Sequence, residues 1–112
     1  MRPNLDAKTF RVVQSHGTDA RVSTETVFHF RQHLGVVHAD YAGGGVRFGK
    51  LLGVLEGNQI RLRYVQVDPE GHFSSGEALI EASLTPEGRL RLVDRWQREG
   101  CGEKGECVME EA

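Results

Sequence analysis

The stretch that decides the fold is residues 46–67, VRFGKLLGVLEGNQIRLRYVQV. Apolar side chains recur at every second position on both sides of Gly57-Asn58. A period of two is typical of a half-buried β-strand. Gly-Asn favours a two-residue hairpin turn, because both residues tolerate positive φ. The stretch therefore predicts a β-hairpin with Leu55 opposite Ile60.

Three further turns fix the register of the neighbouring strands. Leu34-Gly35 suits a two-residue loop, whereas Pro69-Glu70-Gly71 and Pro86-Glu87-Gly88 suit three-residue loops that end in glycine. A slip of one residue at any turn would move the next strand's apolar side chains to the other face. The turns agree on one common inner face. The predicted partners include Phe28 with Tyr41, Phe30 with Ala39, Tyr64 with Gly76, Ile80 with Asp94, and Ala78 with Trp96.

Turn signals recur throughout the 112 residues, which indicates an all-β protein. We predict one domain over 1–112, an antiparallel up-and-down eight-stranded barrel of the calycin or lipocalin type. Eight strands can close on themselves and leave no free edge. One long loop is predicted over 15–24. The predicted strands are 8–14, 25–32, 36–42, 46–56, 59–67, 72–84, 89–99 and 106–111.

Composition narrows the function classes. The net charge of −2 gives no overall attraction to nucleic acid or to an anionic membrane. No apolar run reaches membrane-spanning length, and the first residues lack an apolar signal segment, so we expect a cytoplasmic protein. The outer face should carry charges of alternating sign on neighbouring strands, which favours a solvated surface. These charged residues are Arg61, Arg63, Glu77, Glu81, Arg91 and Arg95.

Polar side chains on the predicted inner face give the main functional hypothesis. Buried polar groups cost free energy unless they are paired, and Gly49, Gly53 and Gly76 would leave space beside them. Space with a few convergent polar groups is typical of a small-ligand site. The alternative is a filled core, in which Tyr64 donates to Asp94 and Arg47 extends from the barrel mouth. The candidate ligand-binding residues are Tyr41, Arg47, Tyr64, Gln66, Asp94 and Trp96.

Asp94 also supports a second hypothesis, an enzyme. Burial would raise the pKa of this carboxyl and suit it to acid or base chemistry. The sequence contains no nucleophile elbow, phosphate loop or paired-carboxylate motif, so no catalytic residue is assigned.

Metal and redox sites receive weaker support, and we predict neither a metal nor a cofactor. His29, His38 and Asp40 would share the outer face of one hairpin and could in principle bind zinc. Exposed His and Asp neighbours are far more often solvated. Cys101 and Cys107 would flank the last hairpin turn, where opposed residues can reach disulfide spacing, but a reducing compartment would keep them as thiols.

An apolar patch is predicted on the outer face, formed by Phe48, Leu52, Val54 and Val65. A contiguous exposed apolar patch suggests a partner, and the simplest partner is a second copy of the chain in a homodimer. The alternative is that the N-terminal segment or the 15–24 loop covers the patch. A third functional hypothesis follows, an interaction protein with a filled barrel that acts through this face.

The whole chain also resembles a known family through an ordered series of motifs between Phe10 and Glu111. The family comprises small bacterial proteins that genomes often label N-acetylglutamate synthase. The resemblance implies a calycin-like barrel, the architecture of lipocalins and avidin-type proteins, and brings no known site residues. The motifs are Val27-Phe28-His29-Phe30, Gln32, Tyr41-Ala42-Gly43-Gly44, Gly49-Lys50-Leu51-Leu52-Gly53, Arg63-Tyr64, Gly88-Arg89-Leu90-Arg91-Leu92, Trp96-Gln97 and Glu110-Glu111.

The label conflicts with the sequence. An acetyl-CoA-dependent N-acetyltransferase usually needs a mixed α/β domain with a pyrophosphate-binding loop at a helix N-terminus. The nearest local match, Gln32 to Val37, lies in a predicted β-hairpin. We interpret the label as a misannotation. Cys101 and Cys107 depart from the family pattern, in which polar residues stand at these positions.

Overall fold

A computed structural model describes residues 2–112 as a closed barrel of eight antiparallel strands, each hydrogen-bonded to its neighbours in the chain, with β8 pairing to β1. The described residues contain no helix that could cross a membrane. The all-β, up-and-down fold predicted from the sequence is therefore confirmed. The strands are β1 Lys8–Gly17, β2 Val27–His33, β3 Val36–Gly43, β4 Val46–Glu56, β5 Gln59–Val67, β6 Phe73–Leu84, β7 Leu90–Arg98 and β8 Lys104–Glu111.

The registers predicted from the turns are also confirmed. Leu55 lies opposite Ile60 across the first hairpin, and Tyr64 lies opposite Gly76 in the next pair. Turn chemistry explains the agreement, because a two-residue hairpin loop needs positive φ at its first central residue. Gly57 has a φ of 64°, and Leu34 adopts 51° although it carries a side chain.

The predicted loop over 15–24 is wrong at its start, because β1 continues to Gly17. Ser15 pairs with Cys107 and Gly17 pairs with Gly105, so β8 also begins earlier than predicted, at Lys104. A bulge near Val13 interrupts the pairing and obscures the period of two in the sequence. Closure of the barrel therefore extends both strands. The connecting loop spans residues 18–26, because β2 begins at Val27, two residues later than predicted.

One end of the barrel is closed by the N-terminal segment. The Leu5 side chain is fully buried in the core, and the Leu5 backbone N–H donates to Gln32 Oε1 at 2.9 Å. The core beside it is aromatic. The rings of Phe10 and Phe30 meet edge to face at 5.3 Å between centroids, and those of Phe28 and Tyr41 stack at 4.5 Å. Offset or edge-to-face contacts of this kind stabilise a core beyond simple area burial.

Inward-facing glycines accept aromatic rings from the neighbouring strand, so the expectation that they leave empty space is wrong. Tyr41 lies over Gly49, and a Cβ atom at Gly49 would collide with its ring. A Cβ atom at Gly76 would lie 2.7 Å from the Tyr64 hydroxyl. At the third inward glycine, Gly53, the added Cβ atom would lie 2.8 Å from the Leu62 Cβ atom and from neighbouring main chain. Gly49 and Gly76 are thus needed to fit rings into a narrow barrel, and Gly53 is needed to fit aliphatic side chains.

The outer face carries the predicted ion-paired charges. Arg63 pairs with Glu77 at 3.8 Å and also with Glu99, and Arg95 pairs with Glu106 at 3.1 Å. These side chains are largely exposed, so each pair contributes little to stability. Their main consequence is a surface in which neither sign of charge dominates.

Replacing Gly49 with Ala should destabilise the barrel by about 1–3 kcal/mol, because overpacking forces buried groups to move. The Tyr41 ring cannot yield easily, since it stacks on Phe28 and its hydroxyl is hydrogen-bonded. Urea unfolding of Gly49→Ala provides the measurement. In a Tyr41→Leu background, Gly49→Ala should lower the free energy of unfolding by much less. An equal loss in the two backgrounds would contradict the contact between the Tyr41 ring and Gly49.

Candidate functional site

A cavity lies at the open end of the barrel, opposite the end that Leu5 closes. Its volume is about 30 Å³. A cavity of 30 Å³ holds about two water-sized groups. The recess is therefore small. Its walls are formed by Arg21, Val22, Phe28, Tyr41, Leu51, Leu62, Tyr64, Gln66, Asp94, Trp96 and Arg98.

Asp94 is the least compensated group in this wall. The sequence placed it opposite Ile80, and the structure confirms this register, with Cys107 on the other side. Its Oδ1 atom is buried and has no hydrogen-bond partner among residues 2–112. Burial raises the pKa of the Asp94 carboxyl to about 7, because desolvation disfavours its charged form. An unpaired buried carboxylate oxygen is costly and needs an explanation.

Tyr41 and Gln66 form a fixed polar pair elsewhere in the wall. The Tyr41 hydroxyl donates to Gln66 Oε1 at 2.8 Å, and both residues are buried. Burial raises the pKa of Tyr41 far above its usual range, so the hydroxyl stays protonated and available as a donor. The filled-core alternative, in which Tyr64 donates to Asp94, is wrong for that pair: no hydrogen bond joins them in the described chain. Burial raises the pKa of Tyr64 to about 12.

Trp96 forms the side of the recess between Asp94 and the mouth. Its ring packs over Gly105 on β8, and a Cβ atom at Gly17 would lie 2.8 Å from Trp96 Cζ2. The Arg98 guanidinium lies over the same ring, with Cζ 5.0 Å from the centroid. Small residues on the two closing strands therefore hold Trp96 against the barrel wall, where its face can contact a ligand.

Arg98 is a site residue that the sequence analysis missed. The alternation of β7 contained the signal, because an inward Asp94 and Trp96 imply an inward residue two positions later. Arg98 is buried, with Nη1 donating to Glu103 Oε1 at 2.5 Å and Nη2 donating to the Asp19 carbonyl at 3.2 Å. Its Nε atom is buried without a hydrogen-bond partner in the described residues. The strand alternation thus brings Arg98, a second residue with a buried unpaired polar atom, into the wall of the same recess.

The loop over residues 18–26 covers part of the mouth. Arg21 Nη1 donates to Asp68 Oδ2 at 3.0 Å, and Asp68 is itself held by the backbone N–H of His72 at 2.9 Å. The Val22 side chain packs against the core, and its carbonyl accepts from the Ser15 hydroxyl at 2.7 Å. A ligand larger than this cavity must therefore displace Arg21 and Val22.

The structure brings five of the six predicted ligand-binding residues together, namely Tyr41, Tyr64, Gln66, Asp94 and Trp96, and separates Arg47 from them. Arg47 is exposed and lies outside the cavity wall. The register of β3 and β4 shifts between Tyr41 and Gly43, which leaves Arg47 and Phe48 as two residues where one would fit. Such a bulge turns both side chains outward. The inward placement of Arg47 was wrong because the sequence showed no break in alternation.

The candidate metal site of His29, His38 and Asp40 and the candidate redox site of the two cysteines do not form. No group of three His, Cys, Asp or Glu side chains within residues 2–112 is arranged to hold a metal ion. Lys50 Nζ pairs with Asp40 Oδ1 at 3.0 Å, and His29 contacts Thr9. Cys107 is a buried free thiol opposite Asp94, whereas Cys101 is exposed. The two cysteines therefore do not face each other across the last hairpin, and both are free thiols.

The arrangement is suited to binding. The wall contains no Ser, Thr, Cys or Lys beside Asp94 that could act as a nucleophile. Cys107 faces inward nearby, but burial and the Asp94 charge raise the pKa of its thiol and keep it protonated. What remains is a recess with aromatic sides, a fixed hydroxyl–amide pair and two unpaired polar atoms.

These features define a closed antiparallel barrel with a recess of aromatic, aliphatic and polar side chains at its open end. The chain belongs to the avidin-like protein family, whose model matches residues 3–112. This membership confirms the calycin-type barrel that the family resemblance implied. Bacterial origin and the interpretation of the synthase label stay predictions. Neither curated proteins nor solved structures gave a significant match.

Stability should depend on pH through Asp94. Its pKa rises from 3.8 when exposed to about 7 when folded, so the folded state binds the proton more tightly. Below about pH 4 the Asp94 contribution to the free energy of unfolding is at its maximum. The free energy of unfolding then falls by on the order of a few kcal/mol as the pH rises to 7. Asp94→Asn should remove that fall and be the more stable form at pH 8.

Urea unfolding at pH 5 and pH 8 checks this, with the exposed Asp40→Asn as the matched control. If the free energy of unfolding changes between pH 5 and pH 8 by the same amount in the wild type and in Asp94→Asn, then Asp94 does not titrate as described.

Proposed function

We propose that this protein is a binding module that holds a small, partly apolar ligand in the recess at the barrel mouth. The observation that carries the proposal is Asp94 Oδ1, a buried acceptor without a hydrogen-bond partner in the described chain, on a residue that lines the recess. Folding has placed a desolvated carboxyl where an apolar side chain would have cost less. A ligand that donates a hydrogen bond to Asp94 compensates that cost.

The rest of the wall supports this reading. Trp96, Tyr64 and Phe28 offer flat apolar surfaces, and a few fixed polar groups among apolar walls are typical of ligand pockets. Tyr41 and Gln66 hold each other in place, so a ligand meets a preorganised pair and little entropy is lost on binding. Members of the avidin-like family bind small ligands such as biotin, in agreement with the proposal.

The test uses Trp96, the chain's single tryptophan, as its own reporter. Purified protein is titrated with a panel of small molecules that includes biotin, other cyclic ureas and amides, and neutral aromatic amines. At least one compound should change the tryptophan emission saturably. Asp94→Asn should weaken that compound's binding by about tenfold to a hundredfold, because hydrogen bonds to charged groups are worth about 1.5–3 kcal/mol.

Asp40→Asn, which changes an exposed carboxyl, should bind as the wild type does. Trp96→Phe keeps an aromatic wall but removes the reporter, so its binding is followed by calorimetry. The proposal is contradicted if no compound in the panel binds saturably, or if the compound that binds has the same affinity for the wild type and for Asp94→Asn.

A second function, self-association, is proposed for the outer apolar patch of Phe48, Leu52, Val54 and Val65. All four side chains are substantially exposed. Two segments could have covered this patch, and both lie elsewhere. The N-terminal segment closes the far end of the barrel, and the 18–26 loop covers the mouth. Neighbouring charges are paired across strands, as in Arg63 with Glu77, so two copies can meet without net repulsion. We propose a homodimer through this patch.

Sedimentation velocity of wild type against Leu52→Glu tests the dimer. Leu84→Glu is the matched control, because Leu84 is 57% exposed and Leu52 is 61% exposed, but only Leu52 lies in the patch. Leu52→Glu should sediment as a monomer, whereas the wild type and Leu84→Glu sediment at twice the chain mass. A monomeric wild type at high concentration overturns the proposal.

A further inference from the structure

The recess is far smaller than the pockets that usually hold small molecules. Its volume is about 30 Å³, whereas ligand pockets usually measure about 300–1,000 Å³. Entry of a ligand therefore needs a part of the wall that moves. All wall residues but two lie on strands of the closed sheet, and the two exceptions, Arg21 and Val22, lie on the loop between β1 and β2. This loop is thus the part of the wall that can move without breaking the sheet.

Only a short piece of the loop lies between fixed ends. At the far end, Thr26 is fully buried, and its hydroxyl donates to the Gly43 carbonyl at 2.9 Å. A tight turn joins it to Ser23, whose carbonyl accepts from the Thr26 backbone N–H at 3.0 Å. At the near end, the Thr18 backbone N–H donates to a carbonyl of β8 at 3.2 Å. Between these anchors lie residues 19–22, which we call the flap.

Polar contacts hold the flap closed, and Arg21 makes two of them. Its Nη1 atom donates to Asp68 Oδ2 at 3.0 Å, and its carbonyl accepts from the backbone N–H of Gly45 at 2.9 Å. Asp68 is itself held in place, because its Oδ1 atom accepts from two backbone N–H groups of its own turn. Arg21 therefore fastens the flap to the turn after β3 and to the turn after β5.

The flap begins at a residue with a strained backbone. Asp19 has a φ of 51°, in the left-handed region that residues with side chains disfavour. The Asp19 carbonyl accepts from Arg98 Nη2 at 3.2 Å, and its carboxylate accepts from Arg21 Nη2 at 3.2 Å. These contacts hold a conformation that the backbone alone does not favour, and moving segments often turn about a few such residues at the end of an element. Asp19 is thus placed to act as a hinge.

Val22 is the part of the flap that enters the barrel. Its side chain packs against the core, and its carbonyl accepts from the Ser15 hydroxyl at 2.7 Å. Ser15 pairs directly with Cys107, and Cys107 pairs with Asp94 on its other side. The buried Cys107 thiol therefore lies beside the strand residue that holds the flap. Removal of Val22 from the core would open a path from solvent to this part of the wall.

We propose that the flap is a gate, which Arg21 latches to Asp68 and which turns about Asp19 to admit a ligand. Polar contacts near solvent open at lower free-energy cost than paired strands, so the gate opens while the barrel stays folded. This inference rests on the proposed ligand-binding function and states how its recess is reached. Opening can be measured without any ligand, so the gate and the ligand-binding function can fail separately.

Amide hydrogen exchange of Gly45 tests whether the flap opens, because this N–H donates to the Arg21 carbonyl. In the wild type its exchange rate should be nearly independent of low urea concentrations, since a local opening exposes little surface. Arg21→Met keeps an unbranched stem and removes the bond to Asp68, so Gly45 should exchange about tenfold faster. The Leu55 N–H, which donates to the Gly35 carbonyl at the far end, is the internal reference and should not change.

Alkylation of Cys107 by iodoacetamide tests whether the open flap gives access to the interior. In this reaction the sulfur forms a bond to carbon, iodide leaves, and the thiol proton passes to solvent. The measurement uses Cys101→Ser, in which Cys107 is the single thiol, and mass spectrometry follows the product. Adding Arg21→Met should raise the alkylation rate about tenfold. Adding Arg31→Met, which breaks an Arg–Asp pair of the same 3.0 Å length at the closed end, should leave it unchanged.

Gly45 exchange that rises with urea as steeply as that of the strand amides would show that the mouth opens only when the barrel unfolds, and this overturns the gate. An unchanged Cys107 rate in Arg21→Met, or an equal rise in Arg31→Met, also overturns it. If Arg21→Met does not fold, the urea dependence of Gly45 exchange in the wild type decides the matter. The ligand panel, read by Trp96 fluorescence, separately decides whether the recess binds small molecules.

Discussion

Closure of eight strands into a barrel is the constraint on which the rest of this structure depends. A closed eight-stranded sheet has an interior just wide enough for its own side chains. Every second residue must enter that space, and three of the rings that enter lie against a glycine on a neighbouring strand. These pairs are Tyr41 over Gly49, Tyr64 beside Gly76 and Trp96 over Gly105. The glycines therefore serve the packing of the rings.

The narrow interior also explains the raised pKa of the Asp94 carboxyl. In a wide barrel, water would hydrate an inward carboxyl and its pKa would stay ordinary. Here the carboxyl is buried beside Cys107 and Ile80, without an ion pair in the described chain, and its pKa rises. The mouth is arranged differently, because Arg98 and Arg21 are each held by an acidic partner. The recess thus combines an uncompensated inner end with a charge-balanced outer end.

The 18–26 loop makes the difference between a filled core and an accessible site. Its contacts to Asp68, Ser15 and Arg98 are polar and lie near solvent, whereas the Leu5 end is closed by full apolar burial. Polar contacts near solvent open at lower free-energy cost than an apolar plug. The mouth is therefore the natural entrance, and the outer apolar patch on β4 and β5 is left free by both ends of the barrel.

Sequence alone was enough for the fold, the registers of four strand pairs and five of the six polar residues predicted to line the recess. Alternation in a strand is a local property, and the turns at Leu34-Gly35, Gly57-Asn58 and the two Pro-Glu-Gly loops carried register from strand to strand. Arg98 could have been found by the same alternation. Tertiary structure alone decided the bulge that turns Arg47 outward, the extension of β1 to Gly17, the pairing of Tyr41 with Gln66, and the placement of Arg21 over the mouth. The bulge depends on how β3 and β4 pair beside their turn. The other three depend on contacts between segments far apart in the chain or on the closure of β1 against β8, and the period of a single strand predicts none of these.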